Sequence, residues 1–443
     1  MNFTLGDLAL FSGGVMSGSD RALSQAVTDS RKAFPGSVFF ALRGSRADGH
    51  EFVSGALALG AAAVVSRGEA LEGTVRVASV EKALLDCASG MRSRMEFPVV
   101  AVTGSSGKTT TREMIRLALS PRYRAGASPG NLNNSIGLPL SLLNLDPSCD
   151  AAVVELGMNA PGELTLLGGI ARPDVTVITN IGTAHIEFLG SREGIAAAKA
   201  ELLAQTAEGG LCVIPSGEPL LDEAAASRGL RILRHGPGGD AWLDSSGPVP
   251  VAMPWGLPVR LRMPGLHNCG NAVCAALTAS GLGIPAGRAL EALSSLEPLE
   301  GRGSVFEAGR FRVIDESYNA NPESMRACLS TLAGMPGNKA AVLGDMLELG
   351  PRSAAEHEEL LRSADLLGLT ALVLVGDGMA SASPAASRTR VLLAHDWQGA
   401  LEQLGRIGGE LTLLVKGSHS IGLESLVEAL RTEGKCCTGC CIR

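Results

Sequence analysis

The residues best suited to chemistry stand in "PVVAVTGSSGKTTTREMIRLAL", residues 98–119, where an apolar run ending at Thr103 meets a glycine turn and then a segment of helical period. This reads as a strand, a phosphate loop and a helix. Gly104, Ser105, Ser106 and Gly107 present successive backbone N–H groups to an anion, and Lys108 brings a positive charge to the outer phosphates. Thr109, with Thr110 beside it, opens the helix and is placed to ligate Mg²⁺. The loop departs from the ordinary pattern: two residues, not four, separate the first glycine from the Gly-Lys pair.

Further candidates follow strands. "DAAVVELG" delivers Glu155 at the end of a buried strand, and "PDVTVITNIGTAHIEF" delivers Asn180, Thr183 and His185 in the same way. Glu155, His185 and Thr109 are therefore expected to converge on one Mg²⁺ region. Asn131, Asn133 and Asn134 precede an apolar segment, and their amides suit either a turn or a polar ligand. Lys199 falls on the stripe formed by Ile195, Leu202 and Leu203 in a helix from about Arg192, which turns an ammonium group inward. Snorkelling accounts for such a lysine; the alternative is a lysine that is chemically altered or held beside anions. His267, Asn268 and Asn271 are read as the loop and start of an Ala-rich helix, with Asn271 either a cap or a reader of a base edge. "VIDESYNANPESM" ends a strand at Asp315 and starts a helix at about Pro322 capped by Asn321, and "LLVKGSHS" offers Lys416 at another strand end.

These residues need a scaffold that brings strand ends to one edge. The 443 residues suffice for two or three domains. The boundaries are set at 1–95, 96–303 and 304–432, followed by a cysteine-rich tail at 433–443. In the first unit, strands are expected at 37–42 and 62–65 around a helix near 51–59, with Ser30, Arg31, Asp48, Gly49 and His50 in the loops. In the third, strands at 312–314, 340–343, 371–375, 390–393 and 411–415 alternate with helices in a Rossmann-like pattern.

The formal charge of −7 and the absence of a basic track exclude a protein that grips nucleic acid by its phosphates, and 3% aromatics leave few stacking platforms. Apolar stretches are short and punctuated, and the start "MNFTLGDLALFSGG" is not a signal peptide, so a cytoplasmic protein without membrane insertion is expected. Six cysteines, at 87, 149, 212, 269, 274 and 328, look like small core hydrophobes. The other four crowd into "KCCTGCCIR", read as a flexible thiol-rich tail rather than a metal site. Together these features describe a nucleotide-dependent phosphoryl-transfer or ligase enzyme whose domains close over ATP. A P-loop switch or motor is the rival, opposed by the missing second, Asp-ended motif.

The ordered series "TDSRKAFPGSVFFALRG", "DGHEF", "TGSSGKTTTRE", "GNLNNSIGLPL", "ELGMNAPGE", "NIGTAHIEFLGSREGIAAAKAE", "GLHNCGNAVCA", "DESYNANPESM" and "LGDMLELG" resembles the Mur ligase family over nearly the whole chain. The resemblance implies an α/β, three-domain Mur ligase architecture with a central P-loop ATPase-like domain and a C-terminal Rossmann-like ligase domain. It implies an ATP-driven amide ligation through an acyl phosphate, with the last two motifs favouring the branch that joins D-alanyl-D-alanine to UDP-N-acetylmuramoyl-tripeptide. Another amino-acid-adding Mur ligase or a folylpolyglutamate synthase-like enzyme is the alternative. By resemblance, Gly104, Lys108 and Thr109 position the phosphates of ATP. Thr109 and Glu155 hold one Mg²⁺, and His185 with a carbamylated Lys199 serves a second. Asn271, Arg302 and Asp315 contact the nucleotide, and Ser30 and Arg31 the uridine side. Asn134, Thr183, Tyr318, Asn319, Asn321 and Lys416 form the rest of the substrate site. A monomer is expected.

Overall fold

The computed structural model describes residues 3–45, 47–69 and 71–439, with side chains as far as 432. Val99–Thr103 is the middle of a six-stranded parallel sheet. Its four first residues, Val99, Val100, Ala101 and Val102, are fully buried, as a strand covered on both faces by crossover helices requires. Ala151–Glu155 lies on one side of it and Val175–Ile178 on the other, all running the same way. Ala125–Ala127 closes one edge, while Leu211–Pro215 and Arg231–His235 extend the other. The carboxyl ends that carry Gly104, Glu155 and Thr179 thus open on a single edge, where ligands bind in such sheets.

A second sheet, of five strands, is built from the first part of the chain. Gln25–Val27, Ser37–Phe40, Ala62–Val65 and Thr74–Arg76 are parallel, and Val15–Ser17 adds an antiparallel edge. The expected strands are present, but the helix expected near 51–59 splits into a 3₁₀ turn at Gly49–Phe52 and an α-helix at Val53–Ala58. Asp48 caps that turn by accepting the His50 N–H at 3.0 Å. The helix Val80–Ser93 leads out of this unit and is anchored by the buried Arg92. Its guanidinium donates to the carbonyls of Met95, Ala171 and Arg172 and to Asp174 at 2.7–3.0 Å.

The third sheet follows the Rossmann-like reading through Phe311–Asp315, Leu411–Lys416, Lys339–Gly344, Ala371–Val375 and Arg390–Ala394. A further edge strand, Ser304–Ala308, pairs antiparallel with Phe311–Asp315. The helix Pro322–Ala333 begins where expected: the Asn321 side chain accepts the Ser324 N–H, and the Ser324 hydroxyl accepts the Asn321 N–H in return. The last helix, Leu423–Gly439, carries the backbone beyond Thr432, where a tail without regular structure was expected. The side chains of Cys436, Cys437, Cys440 and Cys441 lie outside the described residues. Among the described residues, no helix is long and apolar enough to cross a membrane.

Candidate active site

Gly104 and Gly107 both have backbone conformations that side chains rarely adopt, with φ of 151° and 74°. A Cβ on Gly104 would also sit 1.8 Å from the Thr179 hydroxyl. The turn between them is tied down from the neighbouring strand end. Asn180 Oδ1 accepts the N–H groups of Ser105 and Ser106 at 3.0 and 2.9 Å, its amide donates to the Ser106 hydroxyl at 2.6 Å, and the Thr179 hydroxyl donates to the Ser106 carbonyl. The helix Lys108–Leu119 starts at Gly107 without a side-chain cap, so its first-turn N–H groups and its dipole face the cleft. Lys108 curls back to donate to the Gly104 carbonyl at 2.9 Å. Burial pushes its ammonium below the ordinary value, against the opposing pull of Glu155.

Glu155 and Thr109 meet as expected. The Thr109 hydroxyl donates to Glu155 Oε2 at 2.7 Å, Asn133 Nδ2 donates to Oε1 at 2.8 Å, and Arg112 Nη1 stands 3.5 Å from Oε2. Carboxylate, hydroxyl and amide oxygens are the hard donors that suit Mg²⁺. Asn134 instead uses its Oδ1 to cap the following helix, accepting from Ile136 and Gly137.

The strand end at Asn180 leads into contacts with the third sheet's unit. Thr183 donates through its N–H and its hydroxyl to Glu323 Oε1, both at 2.9 Å, and Asn321 Nδ2 reaches the Ser105 carbonyl at 3.4 Å. His185 stands in a left-handed conformation at φ 63°, with Nδ1 2.6 Å from the carboxylate of Glu348, itself at φ 61°. That contact holds the Glu348 carboxyl below the usual carboxylate range. Lys199 is 1% exposed, and it has no hydrogen-bond or ion-pair partner among the described residues. Burial first, and then the charge of Lys108, depress its pKa well below that of an ordinary lysine.

These elements enclose a cavity of about 810 Å³. The phosphate loop and Glu155 form one wall, Asn271 and Arg302 another, and the segment from Glu316 to Ser324 with Lys416 the third. Asn271 lies in the second turn of the helix Leu266–Gly281, whose N-cap is Gly265, so the capping alternative fails and its amide faces Gly107 instead. The Arg302 guanidinium lies 3.8 Å over the Tyr318 ring. Lys416 donates to the Asn319 carbonyl at 2.7 Å.

Six expected site residues do not line the cavity: Gly104, at the start of the phosphate loop; Thr183, which is turned to Glu323; Ser30 and Arg31, which sit on the first unit with Arg31 paired to Asp29; Lys199; and Asp315. Asp315 sits behind the wall, accepting from Gly301, Ser304 and Ser317 at 2.6–3.2 Å, and so braces the turn that carries Arg302. Sequence reasoning passed over Glu316, Glu323 and Glu348. All three stand within motifs that it quoted, and they acquire meaning only when two domains are docked.

The comparisons with known proteins cover nearly the whole chain. Three family models match: "Mur ligase family, catalytic domain" over residues 23–88, "Mur ligase middle domain" over 102–279 and "Mur ligase, glutamate ligase domain" over 301–419. UDP-N-acetylmuramoyl-tripeptide--D-alanyl-D-alanine ligase of Escherichia coli strain K12 is 33% identical over 98% of this chain and 100% of its own length. Among solved structures, MurF from Acinetobacter baumannii superposes with a TM-score of 0.88 at 32% identity, covering 98% of this chain and 99% of that one. MurF ligase from Thermotoga maritima in complex with ADP gives 0.82 at 29% identity, covering 93% and 98%. With full-length relatives above 30% identity and the phosphate loop, Glu155 and the third unit facing one cavity, the chain belongs to the Mur ligase family.

Proposed function

We propose that this protein joins D-alanyl-D-alanine to UDP-N-acetylmuramoyl-tripeptide, with ATP hydrolysed to ADP and phosphate by way of an acyl phosphate. The observation that carries the reading is the cavity itself: a phosphate loop on one wall faces the Tyr318–Asn321 segment of another domain across one enclosed space. The full-length relatives supply the choice of acceptor. Residues 1–95 bind the uridine-sugar end, with Ser30 and Arg31 in its loops, residues 96–303 bind ATP, and residues 304–432 receive the dipeptide.

The first-turn N–H groups of the helix Lys108–Leu119 and the Lys108 ammonium bind the β- and γ-phosphates. Asn271 and Arg302 hold the nucleotide against Gly107, and Asp315 keeps Arg302 in position. Thr109 and Glu155 hold one Mg²⁺, whose contribution is to offset charge on the transferring phosphoryl group. Lys199 is buried without a partner among the described residues and burial lowers its pKa, which favours the amine form that reacts with carbon dioxide; its carbamate, with His185, would serve the second ion. The tripeptide carboxylate attacks the γ-phosphorus, ADP leaves, and the dipeptide amine displaces phosphate from the acyl phosphate so formed. Glu323 on Thr183 and Glu348 on His185 hold the third domain over the cavity and exclude water from that mixed anhydride.

ADP release by the purified protein, measured against a panel of UDP-muramoyl peptides and folates with D-alanyl-D-alanine or single amino acids as acceptor, tests this reading. Turnover is expected only with the tripeptide and the dipeptide together. Turnover with a single amino acid and none with D-alanyl-D-alanine would move the chain to another branch.

A further inference from the structure

The cavity wall nearest the first unit is made by the loop after Glu155 and by the helix Glu163–Ala171. The far end of that helix is fastened to the first unit's last helix. Arg92 donates to the Ala171 carbonyl at 2.7 Å, and Arg172 donates to the Ser89 carbonyl at 2.8 Å. The near end meets the cavity. Glu163, Leu166 and Leu167 line it at three- and four-residue spacing, which puts them on one face of the helix, and Met158 and Asn159 line it from the loop.

This face is held in place from behind. Glu201, on the helix Arg192–Ala204 that carries Lys199, accepts the Gly162 N–H at 2.7 Å and both the N–H and the hydroxyl of Thr165 at 3.0 Å. It thereby caps a helix whose own N-cap, Gly162, has no side chain to do so. Glu163 accepts the Asn159 N–H through Oε2 at 2.7 Å, and no donor or cation among the described residues reaches its other oxygen. Glu155 is held by Thr109, Asn133 and Arg112, which leaves Glu163 as the one uncommitted charge on this wall among the described residues. Beside it Leu166 is 47% exposed, a large apolar side chain left open along the cavity. A carboxylate oxygen at the tip of an apolar strip is the complement of a short aliphatic chain that ends in an ammonium group.

We propose that Glu163 reads the side chain of the tripeptide's third amino acid, accepting a hydrogen bond from an ammonium group at its end while Leu166 covers its methylenes. The proposal rests on the ligase reading above and names the substrate group that this wall selects. The reacting carboxylate belongs to that third residue and has to lie against the phosphate loop and Glu155. From the same α-carbon the peptide runs back to the first unit, which holds the uridine-sugar end, and the dipeptide arrives from the third. The side chain is left with the wall of Glu163 and Leu166. Glu163 takes no part in making or breaking bonds, so its contribution is the same in the ground state and the transition state and falls on binding.

The test uses the full-length protein and UDP-N-acetylmuramoyl-tripeptides that differ only in the third residue. Lysine and 2,6-diaminopimelate carry an ammonium group at the far end, and norleucine keeps lysine's chain without it. ATP, Mg²⁺ and D-alanyl-D-alanine are held in excess and ligated product is measured. With the wild type, kcat/KM for the norleucine tripeptide is expected about thirtyfold below that for the better ammonium-bearing one, with the difference in KM. Glu163→Gln keeps an oxygen for the Asn159 N–H. It should raise KM for the ammonium-bearing tripeptide by about the same factor, with kcat, and the norleucine tripeptide, within about threefold of wild type. Equal use of norleucine by the wild type, a variant that loses all tripeptides to the same extent, or a loss confined to kcat would each overturn the assignment. The wild-type comparison decides on its own if the variant does not fold. Ligation of D-alanyl-D-alanine to none of the three by the wild type would instead strike at the ligase reading and take this proposal with it.

Discussion

Lys199 shows what residue types and spacing reveal and where they stop. Its place between Ile195 and Leu202 on one helical stripe made burial legible, and the side chain is 1% exposed. That no acceptor among the described residues meets its ammonium was not legible, because the surrounding atoms come from elements that spacing within one helix does not locate. His185 is similar: its position after a strand was readable, but its partner Glu348 lies 163 residues on. Burying a lysine so that its pKa falls costs stability, and the sign of its pH dependence follows. Its pKa in the folded chain lies below the value of about 10.4 in the unfolded chain. Between those two values the unfolded chain binds more protons, so stability rises with pH. Lys199→Met should therefore melt higher than wild type in carbon-dioxide-free buffer, by a margin that shrinks as pH climbs toward 10, while losing ligase turnover. Thermal melts across that range check this, and a margin that is absent or grows with pH would contradict it.

At the scale of elements, periodicity did well where strands are buried on both faces. The run ending at Thr103, the turn and the helix Lys108–Leu119 stand as read, and so do the five parallel strands of the third sheet. The edge strand Ser304–Ala308 was missed because only Ala308 among its residues is buried, which leaves no apolar run to see. The start of the helix Leu266–Gly281 was misread because His267 and Asn268 look like loop residues, although Gly265 at φ 102° provides the turn and Leu266 already begins the helix. Arg92 gave no signal, since an arginine in the last turn of an amphipathic helix ordinarily points to solvent. Its carbonyl partners at Ala171 and Arg172 lie about 80 residues away. Removing it leaves buried carbonyls without donors, so Arg92→Ala should destabilise by about 3 kcal/mol. Removing the exposed Lys82–Asp86 pair with Lys82→Ala should cost about 0.5 kcal/mol. Urea titrations of the two variants check the contrast, and equal midpoints would refute the anchoring role of Arg92.

For the whole molecule, the convergence of strand ends on one edge was readable from the order of strands and loops, because parallel sheets put their functional residues there. Which residues of the third unit would meet which of the second was not, since docking depends on side chains such as Glu323 and Asn321 that also serve ordinary local roles. The docked arrangement places a phosphate loop opposite a polar acceptor wall in one cavity, and that arrangement makes a definite demand on the chemistry. If the tripeptide carboxylate attacks the γ-phosphorus there, one of its oxygens must leave with the phosphate when the amine attacks. The most direct measurement is mass spectrometry of phosphate released from tripeptide carrying ¹⁸O in its terminal carboxylate, with ATP, Mg²⁺ and D-alanyl-D-alanine present. One labelled oxygen per phosphate is the predicted result. Ligated product formed alongside unlabelled phosphate would contradict the account.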